Sequence, residues 1–163
     1  MMVDDLTEYS SVVAELLKSR GETVAVAESS AGGLISASLL SIPGASAYFV
    51  GGGVIYTLAA RNSLLPDGGN ALKGIRSASE PYASWLSKSI RDHLGSTWGL
   101  AETGASGPGG NRYGDKPGHT CLAVSGPAEQ VCTLETAKNG RQHNMWEFTR
   151  AALLLLEKAI RLK

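Results

Sequence analysis

A cluster of small polar residues and glycines at residues 27–33 (Ala-Glu-Ser-Ser-Ala-Gly-Gly) follows a short apolar run. A serine in such a place can cap a helix, bind a phosphate or act as a nucleophile, and glycines let a ligand approach the backbone. A helix that begins here presents free N–H groups and the positive end of its dipole. The cluster matches neither G-x-S-x-G nor Walker A. We predict a site for a small anionic substrate, with a helix cap and a tight turn as the alternative.

A second glycine-rich segment spans residues 103–110 (Thr-Gly-Ala-Ser-Gly-Pro-Gly-Gly) and follows a strand-like run. Successive backbone N–H groups in such a segment can form a concave nest that binds an anion. Long loops without secondary structure are uncommon in compact domains unless they have a function. The segment therefore predicts a binding loop, and a flexible surface loop is the alternative.

Tyr56 and Arg61, which are close in sequence, form a third candidate. An arginine can hold a phosphate or a carboxylate through paired hydrogen bonds, although a solvated arginine on a helix is the simpler interpretation. The histidines His93, His119 and His143 have no spacing typical of metal ligands, so we predict no metal site. His119 and His143 flank glycine-containing loops and are candidates for lining a pocket.

The composition limits the classes of function that the chain can have. Its 163 residues suffice for one ordinary domain with a hydrophobic core. The 15 basic and 15 acidic residues balance, so no global field would attract nucleic acid or an anionic membrane. No apolar run is long enough to cross a membrane, and the N-terminus lacks the apolar segment of a secretory signal, so we expect a cytoplasmic protein. Cys121 and Cys132 lie in apolar stretches and are expected to be buried thiols.

Hydrophobic periodicity and turn residues predict alternating helices and strands. Helices are predicted from Leu6 to Gly21, from Gly32 to about Leu40, over residues 59–65, from Ser79 to Gly95 and from Met145 onwards. Strands are predicted over residues 23–27, 48–56, 98–102, 120–125 and 131–136, with a loop over residues 104–118. This pattern predicts a single α/β domain in which helices flank a sheet.

Seven sequence blocks resemble, in the same order, those of the CinA C-terminal domain family. The blocks are AESSAGG (27–33), IPGASAYF (42–49), GVIY (53–56), SEP (79–81), TGASGPGG (103–110), KPGHT (116–120) and NGR (139–141). The resemblance runs from about Val12 to the C-terminus. It implies a CinA C-terminal-like fold for one domain over residues 1–163, without the molybdopterin-binding-like N-terminal domain of full-length CinA proteins.

The resemblance implies a nicotinamide-nucleotide amidase, which hydrolyses the carboxamide of nicotinamide mononucleotide to give nicotinate mononucleotide and ammonia. Ser29 matches the family nucleophile and Tyr56 a family tyrosine, while Arg61 stands where the family has the lysine that takes the serine proton. The implied substrate-binding residues are Ser30, Gly32, Gly33, Thr103, Gly104, Ala105, Ser106, Gly107, Gly109, Gly110 and Arg141. The N–H groups near Gly32 and Gly33 would stabilise the oxyanion. No cofactor is implied, the partner is a small nucleotide substrate, and a homo-oligomer is expected.

Arg61 changes what the resemblance predicts about the chemistry. Arginine stays protonated at physiological pH and cannot act as a general base, and the loss of such a base typically slows proton transfer by about 10²–10⁴-fold. Tyr56 as a phenolate and Lys116 from the long loop are the substitutes that the sequence offers. The alternative function is therefore a catalytically silent member that binds a nucleotide or a phosphorylated metabolite.

Two further departures from the family pattern bear on the ligand. Residues 30–31 are Ser-Ala instead of the more usual Cys-Thr or Ser-Thr, which removes one hydroxyl. The second arginine that the family has in its last helix falls at Met145 or Trp146. We therefore expect one phosphate contact of the family to be missing.

Overall fold

The computed structural model describes residues 4–66 and 69–163, in which helices and strands alternate along most of the chain. The helices are α1 (Asp4–Arg20), α2 (Leu34–Leu40), α3 (Leu58–Leu64), α4 (Glu80–Leu94) and α5 (Arg141–Arg161). The strands are β1 (Val24–Glu28), β2 (Phe49–Val54), β3 (Trp98–Ala105), β4 (His119–Ser125) and β5 (Gln130–Glu135). Short 3-10 turns occupy Ala45–Ala47 and Gly69–Leu72. The predicted α/β domain is confirmed.

The strands form one mixed sheet in the order β2-β1-β3-β4-β5. β1 runs parallel to both β2 and β3, whereas β4 is antiparallel to β3 and β5 is antiparallel to β4. The carboxyl ends of β1, β2 and β3 therefore meet at one edge of the sheet, where open α/β sheets usually bind their ligands. Ser29, Tyr56 and the loop that begins at Ser106 all follow these strand ends.

Alternating side chains give each face of the sheet its own helical layer. The valines of β1 face a core shared with α1, α2 and α5, and the alanines of β1 face the opposite side, against α4. On the α4 side the strands contribute the alanines Ala25, Ala27 and Ala101. A Cβ atom added at Gly99 would lie 1.9 Å from the Ser87 carbonyl oxygen of α4. The close approach of α4 thus depends on the small side chains of the strands beneath it.

β3 continues to Ala105, beyond its predicted end at Glu102. In the sequence Gly104 is typical of a loop, but in the structure it pairs with Thr120 of β4. The two strands approach so closely that a Cβ atom at Gly104 would lie 2.3 Å from the His119 carbonyl oxygen. This glycine therefore permits contact between two strands and is not part of a turn.

The observed starts of α2 and α5 differ from the predicted ones and change the residues that lie near the site. α2 begins at Leu34 and not at Gly32, because Gly32 and Gly33 have φ angles of 69° and 99°. Such positive angles suit glycine and interrupt a right-handed helix, so the two glycines form a turn before α2. α5 begins at Arg141 and not at Met145, which makes Arg141 its first residue.

The structure tests the expectation that both cysteines are buried thiols. Cys121 is buried and Cys132 is half-buried; both are free, and burial raises the pKa of each thiol. The expectation of a buried thiol is therefore confirmed for Cys121 but is only partly met at Cys132.

Across residues 4–66 and 69–163, no helix has both the length and the apolar character that crossing a membrane requires.

Candidate active site

The buried carboxylate of Glu28, the last residue of β1, organises the turn before α2. It accepts hydrogen bonds of 3.0 Å from the N–H groups of Gly33, Ile35 and Ser36. The Gly32 N–H also donates a hydrogen bond within the turn, to the Ser29 carbonyl oxygen at 3.0 Å. The expectation that the N–H groups of Gly32 and Gly33 bind an oxyanion is therefore corrected. A carboxylate from the preceding strand already satisfies the start of the helix.

A second buried carboxylate, that of Glu102 in β3, fixes residues 29–31, which we call the serine turn. It accepts hydrogen bonds from the N–H groups of Ser29 at 3.0 Å and Ala31 at 2.8 Å. It also accepts from the hydroxyls of Ser30 and Thr120, the latter at 2.8 Å. Burial raises the pKa of Glu102, although these four hydrogen bonds oppose the shift. The Ser30 hydroxyl is thus directed at Glu102 in the interior, and the backbone on both sides of Ser29 is fixed.

Ser29 lines a cavity of about 380 Å³ at the carboxyl edge of the sheet. The wall includes Thr103 and Gly104 of β3 and an apolar and aromatic surface from the segment after β2, from α3 and from α4. The residues of the wall are Ser29, Ile55, Tyr56, Thr57, Leu58, Ser77, Ala78, Tyr82, Thr103, Gly104, Asn111, Arg112 and Tyr113. Three phenols and one guanidinium are the only ionisable side chains among them. The structure therefore brings Ser29 and Tyr56 to one cavity.

A smaller cavity of about 150 Å³ adjoins the first and shares Tyr56, Gly104 and Asn111 with it. The other residues of its wall are Ser30, Ala105, Ser106, Gly107, Gly109, Gly110 and Arg141. Arg141 donates to the Gly107 carbonyl oxygen at 2.7 Å and to the Tyr56 hydroxyl at 3.1 Å. Within the described residues, the buried Ser106 hydroxyl has no hydrogen-bond partner. The predicted binding loop and Arg141 therefore meet at one cavity.

Arg61 lines neither cavity, although the family resemblance places it among the catalytic residues. Thr57 caps α3 by accepting a hydrogen bond from the Ala60 N–H at 3.1 Å, so Arg61 falls one turn into the helix, beyond Tyr56. Its guanidinium donates to Asn62 Oδ1 at 3.2 Å through two nitrogens. Lys116, the substitute base considered from the sequence, is exposed and also lies outside both walls.

His119 is a structural residue in the interior and does not line either cavity. Its Nδ1 lies 2.5 Å from Glu135 Oε1 and its Nε2 lies 2.9 Å from the Ala78 carbonyl oxygen. Asp115 Oδ2 is 3.7 Å from Nε2. Burial alone lowers the pKa of His119, but these three acceptors outweigh it and raise the pKa above its ordinary value. Both ring nitrogens face acceptors, so the imidazolium form fits this place best.

Replacing His119 with glutamine is expected to destabilise the fold more in acid than in alkali. A raised folded-state pKa gives stability that is fully present below the unfolded pKa of about 6.5 and is lost as pH rises through the folded pKa. We expect a loss of about 2 kcal/mol near pH ~5.5 and a smaller one near pH ~8.5. Urea denaturation at both pH values measures this. His93→Gln, at an exposed residue of α4, is the control; equal losses for His119→Gln at both pH values would contradict the prediction.

Sequence reasoning missed Glu28, Glu102 and the loop residues Arg112 and Tyr113. The signal for the two glutamates is a carboxylate within an otherwise apolar strand, since a buried charge requires partners. For the loop, the signal is a cationic and an aromatic residue inside a glycine-rich stretch. The identity of the partners depends on the register between distant strands, which the sequence does not display.

Comparison with known proteins agrees with this architecture. The CinA C-terminal domain family model matches residues 6–160. A CinA-like protein of Prochlorococcus marinus is 39% identical over 123 residues, which cover 76% of this chain and 29% of the relative. A CinA-like protein of Gloeobacter violaceus is 38% identical over 158 residues, which cover 96% of this chain and 37% of the relative. The chain thus spans about a third of the length of these curated relatives.

Solved structures share the fold. The competence/damage inducible protein CihA from Agrobacterium tumefaciens aligns with a TM-score of 0.87 at 27% identity, with 96% of each chain covered. A CinA superfamily protein from Klebsiella pneumoniae aligns with a TM-score of 0.90 at 22% identity, covering 97% of this chain and 99% of that one. Fold, sequence blocks and family match agree on the class of protein. The chain belongs to the CinA C-terminal domain family.

Proposed function

We propose that this protein is an amidohydrolase that removes ammonia from the carboxamide of nicotinamide mononucleotide, with Ser29 as the nucleophile. The observation that carries the proposal is the pair of joined cavities. Ser29 lines the larger one, and Arg141 with an unpartnered hydroxyl lines the smaller one. A nucleotide amide has the same two parts, a flat ring with a scissile amide and a phosphate.

The smaller cavity suits a phosphate. The partners of Arg141 are the Gly107 carbonyl oxygen and the Tyr56 hydroxyl, both uncharged acceptors, so they leave its positive charge available to an anion. The buried Ser106 hydroxyl supplies a further donor. Gly109 and Gly110 let an oxygen atom approach the backbone closely.

The larger cavity suits a pyridinium ring. Ile55 and Leu58 offer apolar surface, and Tyr82 adds aromatic surface against which a flat ring can pack. The carboxamide of a ring bound there would face the serine turn. Glu102 accepts hydrogen bonds from the Ser29 and Ala31 N–H groups of that turn, so the backbone that carries the nucleophile is held in place.

The reaction follows from a serine attack on an amide. The Ser29 oxygen forms a bond with the carboxamide carbon as its proton passes to a base, and the C–N bond then breaks to release ammonia. Water hydrolyses the resulting ester, which gives the carboxylate and restores the serine. The protein supplies the nucleophile, the orientation of the ring and the charge that holds the phosphate.

Replacement of Ser29 with alanine is expected to reduce ammonia release from nicotinamide mononucleotide by at least about 10³-fold, because the hydroxyl forms the covalent intermediate. A coupled assay of ammonia with the purified full chain measures the rate. Ser46→Ala, at an exposed serine outside both cavities, is the matched control and should keep the wild-type rate. Equal ammonia release by wild type and Ser29→Ala would refute the assignment.

A second candidate function is the binding of a nucleotide or a phosphorylated metabolite without turnover. It is favoured by Arg61, which cannot take a proton and lines neither cavity. Titration calorimetry with nicotinamide mononucleotide separates the two functions. Saturable binding that Arg141→Gln weakens, together with no ammonia release by the wild type, would favour the binding protein over the amidase.

A further inference from the structure

Ser29 needs a proton acceptor, and the wall of its cavity limits what that acceptor is. Among the described residues of the wall there is no carboxylate, imidazole, amine or thiol. The ionisable side chains are the phenols of Tyr56, Tyr82 and Tyr113 and the guanidinium of Arg112. A guanidinium stays protonated, so a phenol is the only wall group able to accept the serine proton.

The loop that carries Tyr113 is held in one conformation by its own hydrogen bonds. Asn111 Oδ1 accepts from the N–H groups of Tyr113 at 3.0 Å and Asp115 at 3.1 Å. Asn111 Nδ2 donates to Asp115 Oδ2 at 2.8 Å. Gly114 turns the chain with a φ of 91°, a value that suits glycine. These bonds fix the backbone next to Tyr113, which lines the cavity.

Two guanidinium groups lie against Tyr113. Arg112 Nη2 donates to the Tyr113 hydroxyl at 2.9 Å, and its Cζ lies 5.1 Å from the ring centroid. Arg76 Cζ lies 5.2 Å from the same centroid and is itself held by Asp115 at 2.6 Å and 3.0 Å. The hydrogen bond from Arg112, aided by one with Ser77, lowers the pKa of Tyr113. A cationic donor at the phenol oxygen favours the phenolate over the phenol.

The other two phenols are less suited to the task. Tyr82 is buried and stacks on Trp85 with ring centroids 6.1 Å apart, and both guanidinium–ring contacts among the described residues are to Tyr113 instead. Tyr56 accepts a hydrogen bond from Arg141 at 3.1 Å, but in the proposed function that arginine is committed to the phosphate. Tyr113 is thus the wall phenol with a cation of its own.

We propose that Tyr113 is the general base that activates Ser29, with Arg112 as the residue that positions and charges it; this rests on the proposed amidase function. The Tyr113 phenolate takes the proton of the Ser29 hydroxyl as the oxygen bonds to the carboxamide carbon. The C–N bond then breaks, and the phenol returns the proton to the leaving nitrogen, which departs as ammonia. In the second half, the phenolate takes a proton from water, the new hydroxyl attacks the ester, and the serine oxygen leaves with that proton.

Tyr113→Phe tests the proposal with ammonia release as the first measurement. The variant should lose about 10²–10⁴-fold in rate while calorimetry shows unchanged binding of nicotinamide mononucleotide. Tyr9→Phe, on α1 and outside the walls of both cavities, is the matched control and should keep the wild-type rate. Wild-type turnover by Tyr113→Phe would overturn the proposal and leave the amidase function standing.

The pH profile and a direct titration test the role of Arg112. In the wild type, kcat/KM should rise with pH as Tyr113 ionises, Arg112→Gln should move that rise to higher pH, and Arg112→Lys should restore it in part. The ultraviolet absorbance of tyrosinate, taken as wild type minus Tyr113→Phe, reports the same ionisation without any substrate. An ordinary tyrosine titration that Arg112→Gln does not move would overturn the proposal. No ammonia release by wild type, with a lowered Tyr113 titration, would instead refute the amidase function and the base role together.

Discussion

Replacing Glu102 with alanine is expected to lower the free energy of unfolding by about 3–5 kcal/mol and to abolish ammonia release. The variant leaves the N–H groups of Ser29 and Ala31 and the hydroxyl of Ser30 without their acceptor in the interior. A buried donor without a partner costs about 1–3 kcal/mol, and the vacated volume adds to the loss. The turn that carries Ser29 would also be released, because two of its N–H groups depend on this one carboxylate.

Two further variants show whether hydrogen bonding or charge is the cause. Glu102→Gln keeps one oxygen for the two N–H groups and offers an amide to the Ser30 and Thr120 hydroxyls, so it should lose much less stability than Glu102→Ala. Glu129→Ala removes an exposed carboxylate and should change stability by less than about 0.5 kcal/mol. Urea denaturation measures all three. If glutamine were as damaging as alanine, the negative charge and not the hydrogen bonds would organise the turn.

Replacing Gly104 with alanine is the second change for which we expect a large effect, about 3 kcal/mol in the free energy of unfolding. The added Cβ would lie 2.3 Å from the His119 carbonyl oxygen and 2.7 Å from Thr120 Cα. Both are backbone atoms of β4, so the two strands would have to separate. Gly104 lies in the wall of both cavities, and separation of the strands would therefore disturb both.

Gly109→Ala is the matched control for this substitution. Gly109 belongs to the same glycine-rich segment, but nothing lies within 4 Å of a Cβ atom added there. Its cost should stay within about 0.5 kcal/mol, while the thermal midpoint of Gly104→Ala falls by several degrees. Similar losses of stability for the two variants would mean that residue 104 is a glycine because of backbone flexibility and not because of the close strand contact.

The sequence by itself determined the class of fold and the region of the site. The short, β-branched and largely apolar run of β1 predicts a buried strand, and every residue of β1 is buried. The serines and glycines that follow this strand predict a ligand site, and Ser29 lines a cavity there together with Tyr56. These features are local, because the two-residue period of a strand and the conformational freedom of glycine depend only on residues that are neighbours in sequence.

Only the tertiary structure decided which groups meet. Glu102 binds the Ser29 N–H across 73 residues of sequence, which requires that β1 and β3 pair in the register Ala27 to Ala101. Arg61 is close to Tyr56 in sequence but lies apart from the cavity, since Thr57 begins a helix between them. Hydrogen-bond partners over such separations depend on strand register and helix direction. Those are properties of the assembled sheet and not of any single segment.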